Sequence, residues 1–189
     1  ILLTKHNLQN KSIGPRSTLK APSEKNRIDL TNQESLLLKN GSNKDAPPLP
    51  AIHVQPNNGG LRIWVHSPSI SERVTIGNNL DNWLCQKSES HCLGSQWVPL
   101  LNNTLKEASQ FKVGVVNKAI TVQLDISSEG NILDWEFLLS DIKPVAEISF
   151  DQLESLNSRK PRSRAIPTIL KSIKEHINQL QTIIYCSEK

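Results

Sequence analysis

The residues best equipped for chemistry lie in the stretch NWLCQKSESHCLGSQW, Asn82 to Trp97, where Cys85, His91 and Cys92 fall close together. Thiolates and imidazole are good ligands for zinc, and two thiols can instead be oxidised to a bridge. Structural zinc sites bring paired ligands two to four residues apart, and the Cys85–Cys92 spacing matches no such pair. It also rules out a Cys-x-x-Cys redox motif. A disulfide between Cys85 and Cys92 would contribute roughly 3 kcal/mol by restricting the unfolded chain, and would imply an oxidising compartment. Free or buried thiols are the other reading. Cys186 reads as an unpaired thiol or a point of intermolecular pairing.

A second cluster is cationic. NSRKPRSR places Arg159, Lys160, Arg162 and Arg164 in one loop. Such a loop can contact phosphates, with affinity falling steeply as salt rises, or an anionic membrane surface, or serve as a nuclear address. A solvated connection between helices is the plain alternative. No aromatic residue is interleaved with it, which weakens a single-strand stacking role. Asp125, Asp134 and Glu136 could gather on one strand face, but carboxylates are what an exposed strand face normally carries. Catalysis has no signature: no G-x-S-x-G, no Gly-rich phosphate loop and no H-E-x-x-H, since Lys174-Glu175-His176 lacks the second histidine. No catalytic residue, cofactor or metal is assigned, and whether the chain is an enzyme stays open, with the weight against. The sequons at Asn10, Asn40 and Asn102 carry no weight in a chain so rich in Asn and Ser.

The elements that would position these groups follow from composition. Every Trp, Phe and Tyr lies at or beyond Trp64, and the first 60 residues carry eight Lys/Arg against four Asp/Glu. Without large apolar groups, residues 1–60 are expected to be a disordered, basic, Pro/Asn/Ser-rich tail or linker, ending in DAPPLPAIHVQPNNGG with its PxxP match at Pro47 and Pro50 and a flexible Asn-Asn-Gly-Gly break. Residues 61–149 carry seven basic against ten acidic side chains, and 150–189 seven against four, so nucleic-acid contact falls to the flanks. No apolar run reaches the ~18 residues that span a bilayer. A membrane tie is expected only through a segment upstream of Ile1.

Periodicity places strands at LRIWVHS and RVTIG, a helix over QWVPLLNNTLKEASQF, and a β-hairpin over 118–141, KAITVQLDISSEGNILDWEFLLSD, turning at Gly130-Asn131. VAEIS is a short edge strand. Ser149 and Gln152 fit a capping box before FDQLESLN. Ile166, Leu170, Ile173, Ile177, Leu180 and Ile184 form a narrow helical seam, which either packs on the sheet or pairs two copies as a homodimer.

The order helix, ITVQLDIS, SEGN, ILDWEFLLSD, FDQLESL resembles the carboxy-terminal domain of TonB/TolA-type periplasmic energy-transducing proteins over Leu100 to Leu156. The Tyr-Pro entry before the first helix is missing, and the long terminal helix is extra. The resemblance implies a small domain held off an anchor by a spacer, with its hairpin edge accepting a partner strand.

The expectation is therefore an α+β fold, a single domain over 61–189 whose small antiparallel sheet, with the central hairpin, is packed by two or three helices behind a disordered tail. The expected function is a non-enzymatic protein-interaction module, envelope-associated or exported, periplasmic or extracellular, with another protein as partner. The alternative is an intracellular nucleic-acid-binding accessory protein using the tail and the 159–164 loop.

Overall fold

The computed structural model describes residues 14–39, 46–94, 96–149, 151–152, 171, 174 and 178. Two compact units emerge, and each is described by itself. The larger takes its described residues from within Lys25–Lys39, Leu49–Pro68 and Phe111–Lys189. It is built on seven strands: β1 (Ile28–Leu30), β2 (Leu36–Lys39), β3 (Ala51–Asn57), β4 (Gly60–Pro68), β7 (Asn117–Ile126), β8 (Ile132–Ile142) and β9 (Ala146–Ser149). Their order across the sheet is β1-β8-β7-β4-β3-β2-β9. The four central pairings are antiparallel, while β1 joins β8 and β2 joins β9 in parallel.

This corrects the expected fold class. The 118–141 hairpin exists as β7 and β8, but it sits inside a seven-stranded mixed sheet, not in a small antiparallel sheet packed by helices. Three strands, β1 to β3, come from the segment read as a disordered tail. Aliphatic residues supply the apolar surface that aromatic residues do not: Leu36, Leu37, Ala51 and Val54 are all buried. The Asn-Asn-Gly-Gly stretch is a tight turn and no flexible break. Asn58 and Gly59 take φ of 44° and 83°, as a two-residue hairpin between β3 and β4 requires.

Strand alternation sorts the side chains onto two faces. On one, Val54, Leu61 and Ile63 pack with Val65, Leu124 and Ile126, and Leu36 and Ile148 with Leu38, Ile52, Val145 and Ala146. On the other, Leu37, Ala51, Phe111, Ala119 and Ile142 form a cluster joined by Leu30. Both faces are apolar near the centre, so β4 reads LRIWVHS with Trp64 and His66 buried opposite Leu61 and Ile63. After β9, Ser149 and Gln152 make the reciprocal capping contacts: the Ser149 N–H donates to Gln152 Oε1 at 2.9 Å and the Gln152 N–H to Ser149 Oγ at 3.3 Å.

The smaller unit takes its described residues from within Ile1–Glu24, Asn40–Pro48 and Ser69–Gln110. It holds a 3-10 turn (Ser71–Arg73), α1 (Asn79–Lys87), a two-stranded ribbon of β5 (His91–Leu93) and β6 (Gln96–Val98), and α2 (Asn103–Ser109). RVTIG is therefore a turn, and the expected helix from Trp97 begins only at Asn103. In each helix an asparagine at the N-cap decides the start: Asn78 accepts from the Asp81 N–H and Asn102 from the Leu105 N–H, both at 2.8 Å. Val74, Leu80 and Leu105 form the core, with Leu19 and Trp83 against it. Residues 14–24 are tied down here. The Lys20 N–H donates to Arg73 O at 2.9 Å, and a Cβ at Gly14 would stand only 2.9 Å from the Trp83 ring.

Candidate nucleic-acid interface

Three adjacent strands build a buried polar line. His66 on β4 lies opposite Thr121 on β7, and Ala119, two residues along, lies opposite Ser140 on β8. The His66 ring nitrogen Nδ1 is 2.8 Å from Thr121 Oγ1, which is 2.6 Å from Ser140 Oγ. Burial, with a smaller contribution from nearby His53, pushes the His66 pKa down to about 4, so the ring is neutral at ordinary pH. Arg27 closes this side. Its Nη1 donates to Ser140 O at 3.0 Å and Ala119 O at 3.2 Å, stitching the chain ahead of β1 to the sheet.

Toward the hairpin ends the same face carries a cation. Arg62 on β4 grips Asp125, its cross-strand neighbour, through two bonds, Nε to Oδ1 at 2.5 Å and Nη2 to Oδ2 at 2.6 Å. The guanidinium holds the Asp125 carboxyl below its ordinary range and is itself held charged. Its carbon lies 5.9 Å from the Trp64 ring centroid, and His53 lies 5.3 Å from the same ring on the other strand. Trp64 is only 4% exposed, so this stack braces the sheet and is not open to a base. Asp125 and Asp134 are cross-strand neighbours, but with Asp125 committed to Arg62 the pair is not arranged for acid/base work. Among the described residues no three His, Cys, Asp or Glu side chains converge closely enough to hold a metal ion.

The other sequence-derived candidates separate. Cys85 on α1 and Cys92 on β5 are both free and exposed, so the expected bridge is absent. The stretch between them is a capped helix followed by a short strand, and the Cys92 thiol contacts Gly94 O at 3.3 Å. Arg159, Lys160, Arg162, Arg164, the seam from Ile166 to Ile184, and Cys186 lie outside the described residues. Sequence reasoning overlooked Arg27, the His66–Thr121–Ser140 line and the Arg62–Asp125 pair. The last had a signal, since Arg62 and Asp125 sit at matching places on the polar sides of two strands. Arg27, far from its partners along the chain, had none.

The sheet is mixed and ends on each side in a strand paired in parallel. The chain belongs to the RNB domain family, which matches residues 27–189. It is 25% identical over 126 residues to the protein sts5 of Schizosaccharomyces pombe, covering 67% of this chain and 12% of that protein. It is 25% identical over 116 residues to ribonuclease R of Chlamydia trachomatis, covering 61% and 17%. The fold matches Mycoplasma genitalium RNase R, solved in complex with ribose-methylated single-stranded RNA, with a TM-score of 0.69 at 17% identity, over 86% of this chain and 25% of that one. The chain thus spans less than a fifth of the length of the two curated relatives.

Family membership overturns the expected exported protein-interaction module and its periplasmic or extracellular placement. The placement leaned on a Cys85–Cys92 bridge that does not form, and the TonB/TolA resemblance on a hairpin that many sheets contain. Among the described residues no helix is long and apolar enough to cross a membrane.

Proposed function

We propose that this chain is the RNA-binding part of a ribonuclease-related protein, the nucleic-acid alternative raised by the sequence. The observation that carries the reading is the family match, which runs from the residue that anchors β1 through every strand of the large sheet. The relative of like fold with single-stranded RNA bound supports an RNA strand as the ligand. We assign phosphate contact to Arg159, Lys160, Arg162 and Arg164, four cations within six residues of sequence; Arg62 is committed to Asp125.

The test is fluorescence anisotropy of the full chain with labelled mixed-sequence single-stranded RNA between about 50 and 200 mM salt. Binding should weaken steeply with salt. Replacing the four loop cations by Gln should lower the salt slope by as much as about 3, at roughly 0.7 per phosphate contacted. No binding at the lowest salt would sink the reading. An unchanged slope in the quadruple variant would remove the loop from it.

A further inference from the structure

The loop that leads into β7, from Phe111 to Asn117, is fixed at three points. Phe111 is 5% exposed and packs in the core with Ala119 and Ile142. Asn117 closes the loop from its other end. The Lys112 N–H donates to Asn117 Oδ1 at 2.9 Å, and Asn117 Nδ2 donates to Lys112 O and Val115 O, each at 2.8 Å. At the bend Gly114 takes a φ of 76°, and its N–H donates at 2.8 Å to the carbonyl of Pro144, just beyond the end of β8.

This brace holds apolar side chains out in water. Val113, Val115 and Val116 are 38%, 48% and 57% exposed. Lys112 stands at the start of the loop, and Lys143 adjoins the Pro144 to which the bend is tied. Both lysines are exposed, and neither has an acidic partner among the described residues.

Charge is spread unevenly along the sheet. Where β1 and β8 end and β7 begins, Arg27, Lys112, Lys118 and Lys143 stand against Asp29 and Asp141. Asp141 is already held by Lys118 at 3.1 Å and Arg27 at 3.9 Å, so the positive surplus rests on the loop side. The exposed carboxylates Glu129, Asp134 and Glu136 lie toward the β7–β8 turn at the other end. The register also puts Ser149, the last residue of β9, at the cationic end. The chain that carries Arg159 ten residues later therefore leaves the sheet from that end.

We infer that the braced loop, together with Lys143, is a contact site for a single-stranded RNA. Lys112 and Lys143 hold backbone phosphates, and the Val115–Val116 tip packs against an adjoining nucleoside. The inference rests on the RNA reading proposed above and gives it a second set of contacts. The brace serves binding because a loop already held in one shape loses little freedom when the ligand arrives.

The test is anisotropy of the full chain with labelled mixed-sequence single-stranded RNA across the same range of salt. Lys112→Gln/Lys143→Gln should lower the salt slope by about 1.4, at roughly 0.7 per phosphate contacted, and Lys112→Arg/Lys143→Arg should keep it. Val115→Ser/Val116→Ser should weaken binding about tenfold at an unchanged slope, with an unchanged urea midpoint reporting that the sheet is intact. Lys20→Gln/Lys87→Gln removes two exposed lysines of the smaller unit and should leave the slope alone. A parent chain that binds RNA with a slope indifferent to Lys112→Gln/Lys143→Gln overturns this inference and spares the RNA reading. A parent chain that binds no RNA at the lowest salt overturns both. An equal fall in slope for Lys20→Gln/Lys87→Gln would reduce the loop to general surface charge and overturn the inference. So would RNA affinity untouched by Val115→Ser/Val116→Ser while that variant loses binding to phosphatidylserine vesicles, which would give the tip to a lipid surface.

Discussion

His66 ties the stability of the sheet to pH. Its folded pKa of about 4 lies below the ordinary 6.5, so as pH falls from 6.5 to 4 the unfolded chain takes up a proton that the folded chain refuses. Stability should fall by about 3 kcal/mol across that window and level off on this account below it. Urea unfolding at successive pH values measures this, and His66→Gln should flatten the curve. Asp125 acts at lower pH. Its carboxyl is depressed by Arg62, so its contribution is complete above the ordinary 3.8 and is lost as pH falls through the folded value. Arg62→Met should cost roughly 1 kcal/mol and raise the Asp125 pKa, a shift readable by NMR titration. Both Cys85 and Cys92 should be alkylated without prior reduction, read as mass added at each. At this scale the sequence showed the thiols and the carboxylates but not their surroundings. The chain of partners of His66 runs over two other strands, and cross-strand neighbours are invisible until register is known.

Turns and caps decide the elements. Asn58 and Gly59 supply the positive φ that lets β3 fold back on β4, and Gly60 then passes against the Ile126 carbonyl so closely that any Cβ would collide with backbone. Gly60→Ala should therefore destabilise the large unit by about 2 kcal/mol or more, measured as a lower urea midpoint. Gly59→Ala should act through φ alone, by roughly 1 kcal/mol. The β7–β8 hairpin, the β9 strand and the Ser149–Gln152 cap were legible because each has a strict local pattern. β3 was not, because Pro56 interrupts AIHVQPN; the strand tolerates it where β2, which reaches only Ala51 and Ile52, has already ended. α1 was hidden by a polar sequence in which Leu80, Trp83 and Leu84 are the only residues turned to the core.

For the whole molecule, one cause explains why β1 to β3 were read as part of a tail. Absence of aromatic residues was taken as absence of a core, yet Leu36, Leu37, Ala51 and Val54 are all buried in the sheet. The segment Leu61–Lys189 expressed alone should consequently lose cooperative unfolding, since deleting β1 to β3 strips both neighbours from the remaining strands' outer edges; a sharp urea transition for that fragment would contradict the sheet order. The parallel pairs carry a further consequence. Ile28 lies against Ser140, and Leu36 against Ala146, partners more than a hundred residues apart along the chain. Neither outer strand can be seated until the last strands have left the ribosome. Loop closure over such distances makes folding slow. During synthesis the three strands β2, β3 and β4 wait with both outer edges of their meander, the β4 side for β7 and the β2 side for β9, still unpaired, and that interval is when the nascent chain has most need of a chaperone.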